Sequence, residues 1–413
     1  MADVLDVYLN EDLAGQLQQE KGKLSFAYES AWLASEQFIP LSVTMPPQPQ
    51  TFPDEVARPF FDNLLPEGEI RAAIAKLKHL SARNTFGLLG EIGGDCAGAV
   101  SLWPHGEKPR VNEAYGELTD KRLAKVLAEM ARRPLLIVDD EVRLSLAGAQ
   151  NKLPVHYDGA RLSLPRGSAP SSHILKPGAH GFEHMPANEH FCMQLARALE
   201  LPVPESAILR KAAALYLVKR YDRMPAADGG LARVHQIDFC QALNLPSQKK
   251  YEHEGGAKLS ACFDAITRYS AQPAWDRLHL ISWAIFNFLI GNADAHAKNL
   301  SLLITRDAIR LAPFYDLVST AAYKDLTGKL ALKIGGENRP GWIQKRHWQS
   351  FARISNANPR IVWKRITELA EAVPETALKV AGALDLQADE SATIRKIIDV
   401  IEARAQQLRR LRT

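Results

Sequence analysis

From Trp275 to Ile290 the chain reads WDRLHLISWAIFNFLI, apolar around nearly the whole circumference of a helix. A helix with no polar face must lie inside something larger. Arg277, His279, Ser282 and Asn287 interrupt the run, which argues against a membrane span and for the centre of a folded domain. The core this requires is available: 413 residues, 46% hydrophobic and 24% charged, is globular composition, excluding disorder, collagen-like repeats and a disulfide-stapled miniprotein. Length predicts two or three structural units. A net charge of +4 is too weak to indicate a nucleic-acid binder by itself.

Four cysteines, Cys96, Cys192, Cys240 and Cys262, lie in apolar stretches without CxxC spacing, so buried thiols are expected rather than a zinc knuckle or disulfide framework. Residues 1–9 carry Asp3 and Asp6 and no basic leader. The expected protein is cytoplasmic, with no membrane association.

Three short strands are predicted over 4–9, 23–27 and 39–44, with helical material from Arg58 to Lys78, forming a small α+β unit that ends near Trp103. A polar stretch from Pro104 to Gly116 marks a boundary. Strands follow over 142–146, 153–157 and 160–164, the last two joined by an Asp158-Gly159 turn. Further strands at 172–176, 207–210 and 213–219, with a helix from Asn188 to Glu200, complete a sheet with one helix. After Asp238 helices dominate, apart from a hairpin of 300–304 and 309–311. The predicted division is 1–105, 106–240 and 241–413.

The buried helix runs directly into Gly291-Asn-Ala-Asp-Ala-His-Ala-Lys-Asn299. Asp294 and Asn299 sit five apart on this loop, and the hairpin folds the chain back so that Asp316 is expected near Asn299. The Asn299 amide and the Asp316 carboxylate are hard oxygen donors suited to magnesium, leaving Asp294 to accept or orient a hydroxyl proton. The plain alternative is that Asp294 and Asn299 only cap turns. A zinc or iron site on Asp294 and His296 lacks the further ligands such sites need.

Phosphoryl transfer also needs cations against the phosphates. Lys176 ends a strand, and Glu189 points along an otherwise small and apolar helical stripe, where a carboxylate costs several kcal/mol unless paired. Lys176 is its natural partner, and the pair would steer the ammonium toward phosphates. Otherwise Glu189 simply favours the helix dipole. The loop Ser145-Leu-Ala-Gly-Ala-Gln-Asn-Lys152 has small residues that let backbone amides approach a nucleotide. It is neither a Walker loop nor the G-x-G-x-x-G of ordinary protein kinases.

Taken with Arg58 to Gly68, Asn84 to Leu89, Asn188-Glu189, Asp238 to Gln241 and Tyr315-Asp316, these segments resemble the HipA-family serine/threonine kinases, toxins of type II toxin–antitoxin pairs. The resemblance covers the chain end to end. It implies an α+β, two-lobed protein-kinase-like fold with an added N-terminal α+β subdomain and a mainly helical C-terminal lobe. It further implies ATP and Mg2+ as cofactors, Asp294 as catalytic base, and Asn299 and Asp316 as metal ligands. Nucleotide contacts are implied for Ala147, Gly148, Ala149, Gln150, Lys152, Lys176, Glu189, His296 and Lys298, with Gln236, Asp238 and Phe239 in a hinge that meets adenine. Ser145 is the implied autophosphorylation site; its phosphate would repel the loop from ATP. The sequence has Asn-Ala-Asp for His-Arg-Asp and Tyr-Asp-Leu for Asp-Phe-Gly, which are traits of the family.

The implied partners are a HipB-like helix-turn-helix antitoxin, operator DNA reached through that complex, and a translation-related protein substrate such as glutamyl-tRNA synthetase. Lys345-Arg346-His347 and Arg404, Arg409, Arg410 and Arg412 could meet phosphates, although such clusters are more often solvated faces. A non-catalytic co-repressor working with the antitoxin is the alternative.

Overall fold

The computed structural model describes residues 3–109, 114–132, 151–167, 169–179, 181–211, 213–226 and 229–411. The strand expected over 142–146, and the loop positions Ser145, Ala147, Gly148, Ala149 and Gln150, lie outside them, as does Arg412.

The N-terminal unit is a four-stranded antiparallel sheet in the order Lys23–Tyr28, Asp12–Glu20, Asp3–Leu9, Val100–Pro104. Leu24, Phe26 and Tyr28 alternate inward, as the two-residue strand period requires. Two sequence expectations fail here. Residues 39–44 form no strand, only a bridge between Ser42 and Met45, because Pro40 lies within the run. The strand Asp12–Glu20 was not anticipated, since Gly15 and three glutamines hide its pattern. Gly15 is needed: a Cβ there would lie 2.3 Å from the Ala27 carbonyl oxygen.

The next sheet has six strands, in the order Ala114–Glu117, Leu162–Arg166, Leu153–Tyr157, His173–Pro177, Ala214–Lys219, Ser206–Arg210. Its two faces are sorted by alternation. Leu215, Leu217 and Leu175 pack with Leu123, Val126 and Met130 of the helix Asp120–Arg132. Tyr216 and Val218 face the other way and join the core that contains Phe191 and Leu195 of the helix Met185–Ala198. Lys176, one step from Leu175 and paired in register with Tyr216, therefore projects toward that helix.

A small antiparallel sheet, His235–Asp238, Ser301–Ile304 and Ile309–Leu311, joins this layer to the helical part. The helix Pro273–Ile290 is buried from Leu280 to Ile290 and ends at Gly291, whose φ is +69°. Glycine is required there on two counts, because a Cβ would also lie 2.7 Å from both Ala321 Cβ and Val400 Cγ1. Helices Leu259–Tyr269, Lys345–Ile354, Pro359–Ala383 and Ala388–Arg410 surround it. One apolar core runs from the N-terminal sheet through Phe191 and Phe239 to Trp348 and Ile401. All four cysteines are buried thiols, and no helix among the described residues is long and apolar enough to cross a membrane.

Candidate active site

A cavity of about 710 Å³ opens where the sheets meet the helical part, and Asp294, Asn299, Asp316, Lys176 and Glu189 all line it. The loop after Gly291 is pinned from several sides. Asn292 donates to Asn287 Oδ1 at 2.7 Å and accepts from the Asp294 N–H at 3.0 Å. The Ala293 N–H donates to Thr320 Oγ1 at 2.7 Å. Asp294 is thereby held exposed to the cavity. Burial of the surroundings raises its pKa, while the Tyr251 hydroxyl, donating to Oδ1 at 2.7 Å, acts the other way.

Asn299 is buried, and its Oδ1 has no hydrogen-bond partner among the described residues. A buried carbonyl oxygen without a donor is costly, and a cation would relieve it. Asp316 returns by the hairpin in left-handed backbone, φ +53°, a conformation uncommon outside glycine. Burial raises the Asp316 pKa, but the ammonium groups of Lys176 and Lys152 outweigh it and hold the carboxyl at about 2. The donors at 299 and 316 are therefore an amide oxygen and a persistent carboxylate, a hard oxygen set that fits magnesium. Among the described residues no three His, Cys, Asp or Glu side chains gather for a metal, so none of these joins Asp294 and His296 as a third ligand for the zinc alternative.

Lys176 bridges two acids: Glu189 at 2.8 Å, and Asp316 in a very short contact. Burial alone would lower its pKa, but the two carboxylates raise it, so it stays charged. Asn188 fixes the helix end by donating to Ser319 O at 2.9 Å and accepting from the Ser319 N–H at 2.8 Å. Lys152 also lines the cavity; burial lowers its pKa to about 8, against the pull of Asp316.

The remaining predicted residues divide. Gln236 lines the cavity with its amide fixed by the Tyr221 hydroxyl and by Asp222, to which it donates at 3.1 Å. Asp238 also lines it, but caps the helix Phe239–Ala242 and pairs with Lys298 at 3.1 Å. Phe239 is fully buried and does not line the cavity, and its N–H is taken by Leu300 O. His296 stands edge-on to Tyr251, with burial pushing its pKa down to about 3, so the imidazole is neutral. Lys298 meets Asn63 Oδ1 at 2.7 Å, Asn63 O at 3.2 Å, Glu67 at 3.3 Å and Asp238 at 3.1 Å. Arg404 lies over the Phe288 ring and Arg409 donates to Ala370 O, so both are engaged within their own fold.

Sequence reasoning missed Asn63, Glu67, Lys250 and Tyr251, all of which line the cavity. The first two fall within the Arg58 to Gly68 segment that carries the resemblance, but nothing local assigns them chemistry. Lys250 and Tyr251 sit in a turn whose pattern gives no signal.

Two family models match the chain: the HipA-like C-terminal domain over residues 144–377 and the HipA N-terminal domain over residues 5–103. A protein of Sinorhizobium fredii, Y4mE, is 40% identical over 98% of each chain. The serine/threonine-protein kinase toxin HipA of Shewanella oneidensis is 30% identical, covering 94% of this chain and 92% of that one. Among solved structures, the Shewanella oneidensis toxin–antitoxin complex of HipA, HipB and operator DNA superposes with a TM-score of 0.88 at 28% identity, over 99% of each chain.

Proposed function

The chain belongs to the HipA kinase family, and from that premise we propose that it is an ATP-dependent serine/threonine protein kinase, the toxin of a toxin–antitoxin pair. The supporting observation is the convergence of Asp294, Asn299 and Asp316 on one cavity beside the Lys176–Glu189 ion pair. Asp294 accepts the proton of the attacking serine or threonine hydroxyl, helped by a pKa raised above that of an ordinary aspartate. Lys176, kept charged by two acids, restrains nucleotide phosphates. Asn299 and Asp316 hold magnesium, which when bound neutralises phosphate charge. Gln236 and Asp238 form the edge that meets the adenine. The chain reads as three units, 1–105, 106–240 and 241–413, with the nucleotide between the second and third.

The Shewanella relative is solved with HipB and operator DNA. By analogy this chain works with a small helix-turn-helix antitoxin and reaches DNA through it, and its substrate is a translation-related protein such as an aminoacyl-tRNA synthetase. Phosphorylation of Ser145 would add about −1.5 to −2 charge to a loop that must fold over the ATP phosphates, and repulsion would expel the loop and close the nucleotide site. Calorimetry should therefore find ATP affinity much reduced in Ser145→Asp, and full affinity would refute this self-inactivation. The central test is transfer of labelled phosphate to protein. Incorporation should be lost in Asp294→Gln and Asp316→Asn, and undiminished labelling in both would remove the site assignment.

A further inference from the structure

The cavity holds several cations, and hydrogen-bond capacity sorts them. An ammonium has three N–H donors and no acceptor. Lys298 already faces four protein oxygens within 3.3 Å, from Asn63, Glu67 and Asp238, so it has no donor left for a substrate. Lys176 commits two donors to Glu189 and Asp316. Arg220 is tied to Asp222 and Ser171.

Lys250 differs. Its ammonium meets one acceptor among the described residues, Glu67 Oε2 at 2.8 Å, and it lines the cavity. Its neighbour Tyr251 donates to Asp294, and the Ala297 N–H donates to the Lys250 carbonyl at 3.4 Å. The side chain is therefore carried on a segment fastened to the loop of the proposed base. Its charge also acts on Asp294 directly, lowering its pKa against the effect of burial.

We propose that Lys250 is a further catalytic residue, a cation that holds the phosphoryl group in transit to the hydroxyl deprotonated by Asp294, with Glu67 of the N-terminal unit as its positioning residue. The inference rests on the kinase reading above. In the step, the hydroxyl oxygen forms a bond to the terminal phosphorus, and the bond from that phosphorus to the nucleotide oxygen breaks with its electron pair leaving on ADP. The hydroxyl proton goes to Asp294. Lys250 takes no part in the proton transfer and contributes charge and two donors. Such a contact matters most where negative charge is greatest, in transit rather than in the bound ground state.

The test compares binding of Mg-ADP with binding of Mg-ADP plus aluminium fluoride, an anionic mimic of the group in transit, by calorimetry on the full chain. The wild type should bind more tightly with fluoride present. Lys250→Gln should keep its Mg-ADP affinity within about twofold and lose at least about tenfold of the added affinity, since deleting one preorganised donor typically costs about 10²–10³-fold in rate. Lys250→Arg should keep most of the gain. Glu67→Gln should lose part of it, and a wild-type gain in that variant would remove Glu67 from the proposal. Thermal melts check folding, and Lys250→Met, which keeps an unbranched side chain, replaces the glutamine variant if that one melts early. Equal loss of both affinities, loss of neither, or the same loss in the arginine variant would overturn the role of Lys250. A wild type that binds no Mg-ADP would instead defeat the kinase reading, and this inference with it.

Discussion

Single residues in the cavity are governed by how many partners each must satisfy. Lys176 balances two carboxylates, and Lys176→Met strands the buried one, Glu189, while the Asp316 side chain keeps 38% of its surface exposed. Unfolding in urea should show a loss of about 3 kcal/mol, as for other buried pairs broken from one side; an unchanged midpoint would contradict the geometry. His235 gives a second residue-level expectation. It is buried, its Nε2 lies 2.8 Å from Leu41 O, and burial lowers its pKa to about 4. Between pH 6.5 and 4 the unfolded chain binds a proton that the folded chain refuses, so this stability is complete above pH 6.5 and declines as the pH falls. His235→Gln should flatten that decline in urea midpoints measured from pH 7 to 4.5. The residues legible in the sequence, Asp294, Asn299 and Asp316, are near neighbours along the chain with one hairpin between them. Asn63 and Glu67 reach Lys298 from more than 200 residues away, and no local pattern encodes such a meeting.

At the scale of elements, legibility followed periodicity. The helix Pro273–Ile290 and the hairpin after it were readable because burial on every face, and then alternation, leave a pattern in the residues. The strand Asp12–Glu20 was not, because its close contact with the strand Lys23–Tyr28 demands Gly15, which is a strand breaker in isolation. The junction of helix and loop at Gly291 is a sensitive point. Gly291→Ala should cost more than about 1 kcal/mol, since it adds strain at positive φ to a steric clash. Because the loop carrying Asp294 starts there, phosphate transfer should fall further than the melting temperature alone predicts. A stable, fully active variant would refute this coupling.

Across the whole molecule, polar ties fasten the N-terminal unit to the rest. Asp222 is the busiest. Burial raises its pKa, but Arg220 and Arg223 outweigh this and keep it ionised, and it also accepts the Gly98 N–H at 2.9 Å. Asp62 accepts from Ser247 at 2.9 Å, and Asn63 donates to Leu245 O at 2.9 Å. Together with the shared apolar core, these ties predict a single unfolding transition, and Asp222→Asn should lower it as one event rather than split it; two resolved transitions in calorimetry would contradict that. The N-terminal unit also gives Leu64 and Ala97 to the cavity wall. A small-molecule inhibitor that extends across to those two side chains would grip a surface no kinase without this extra layer can offer, and selectivity could be built into its far end while the nucleotide-like end stays generic.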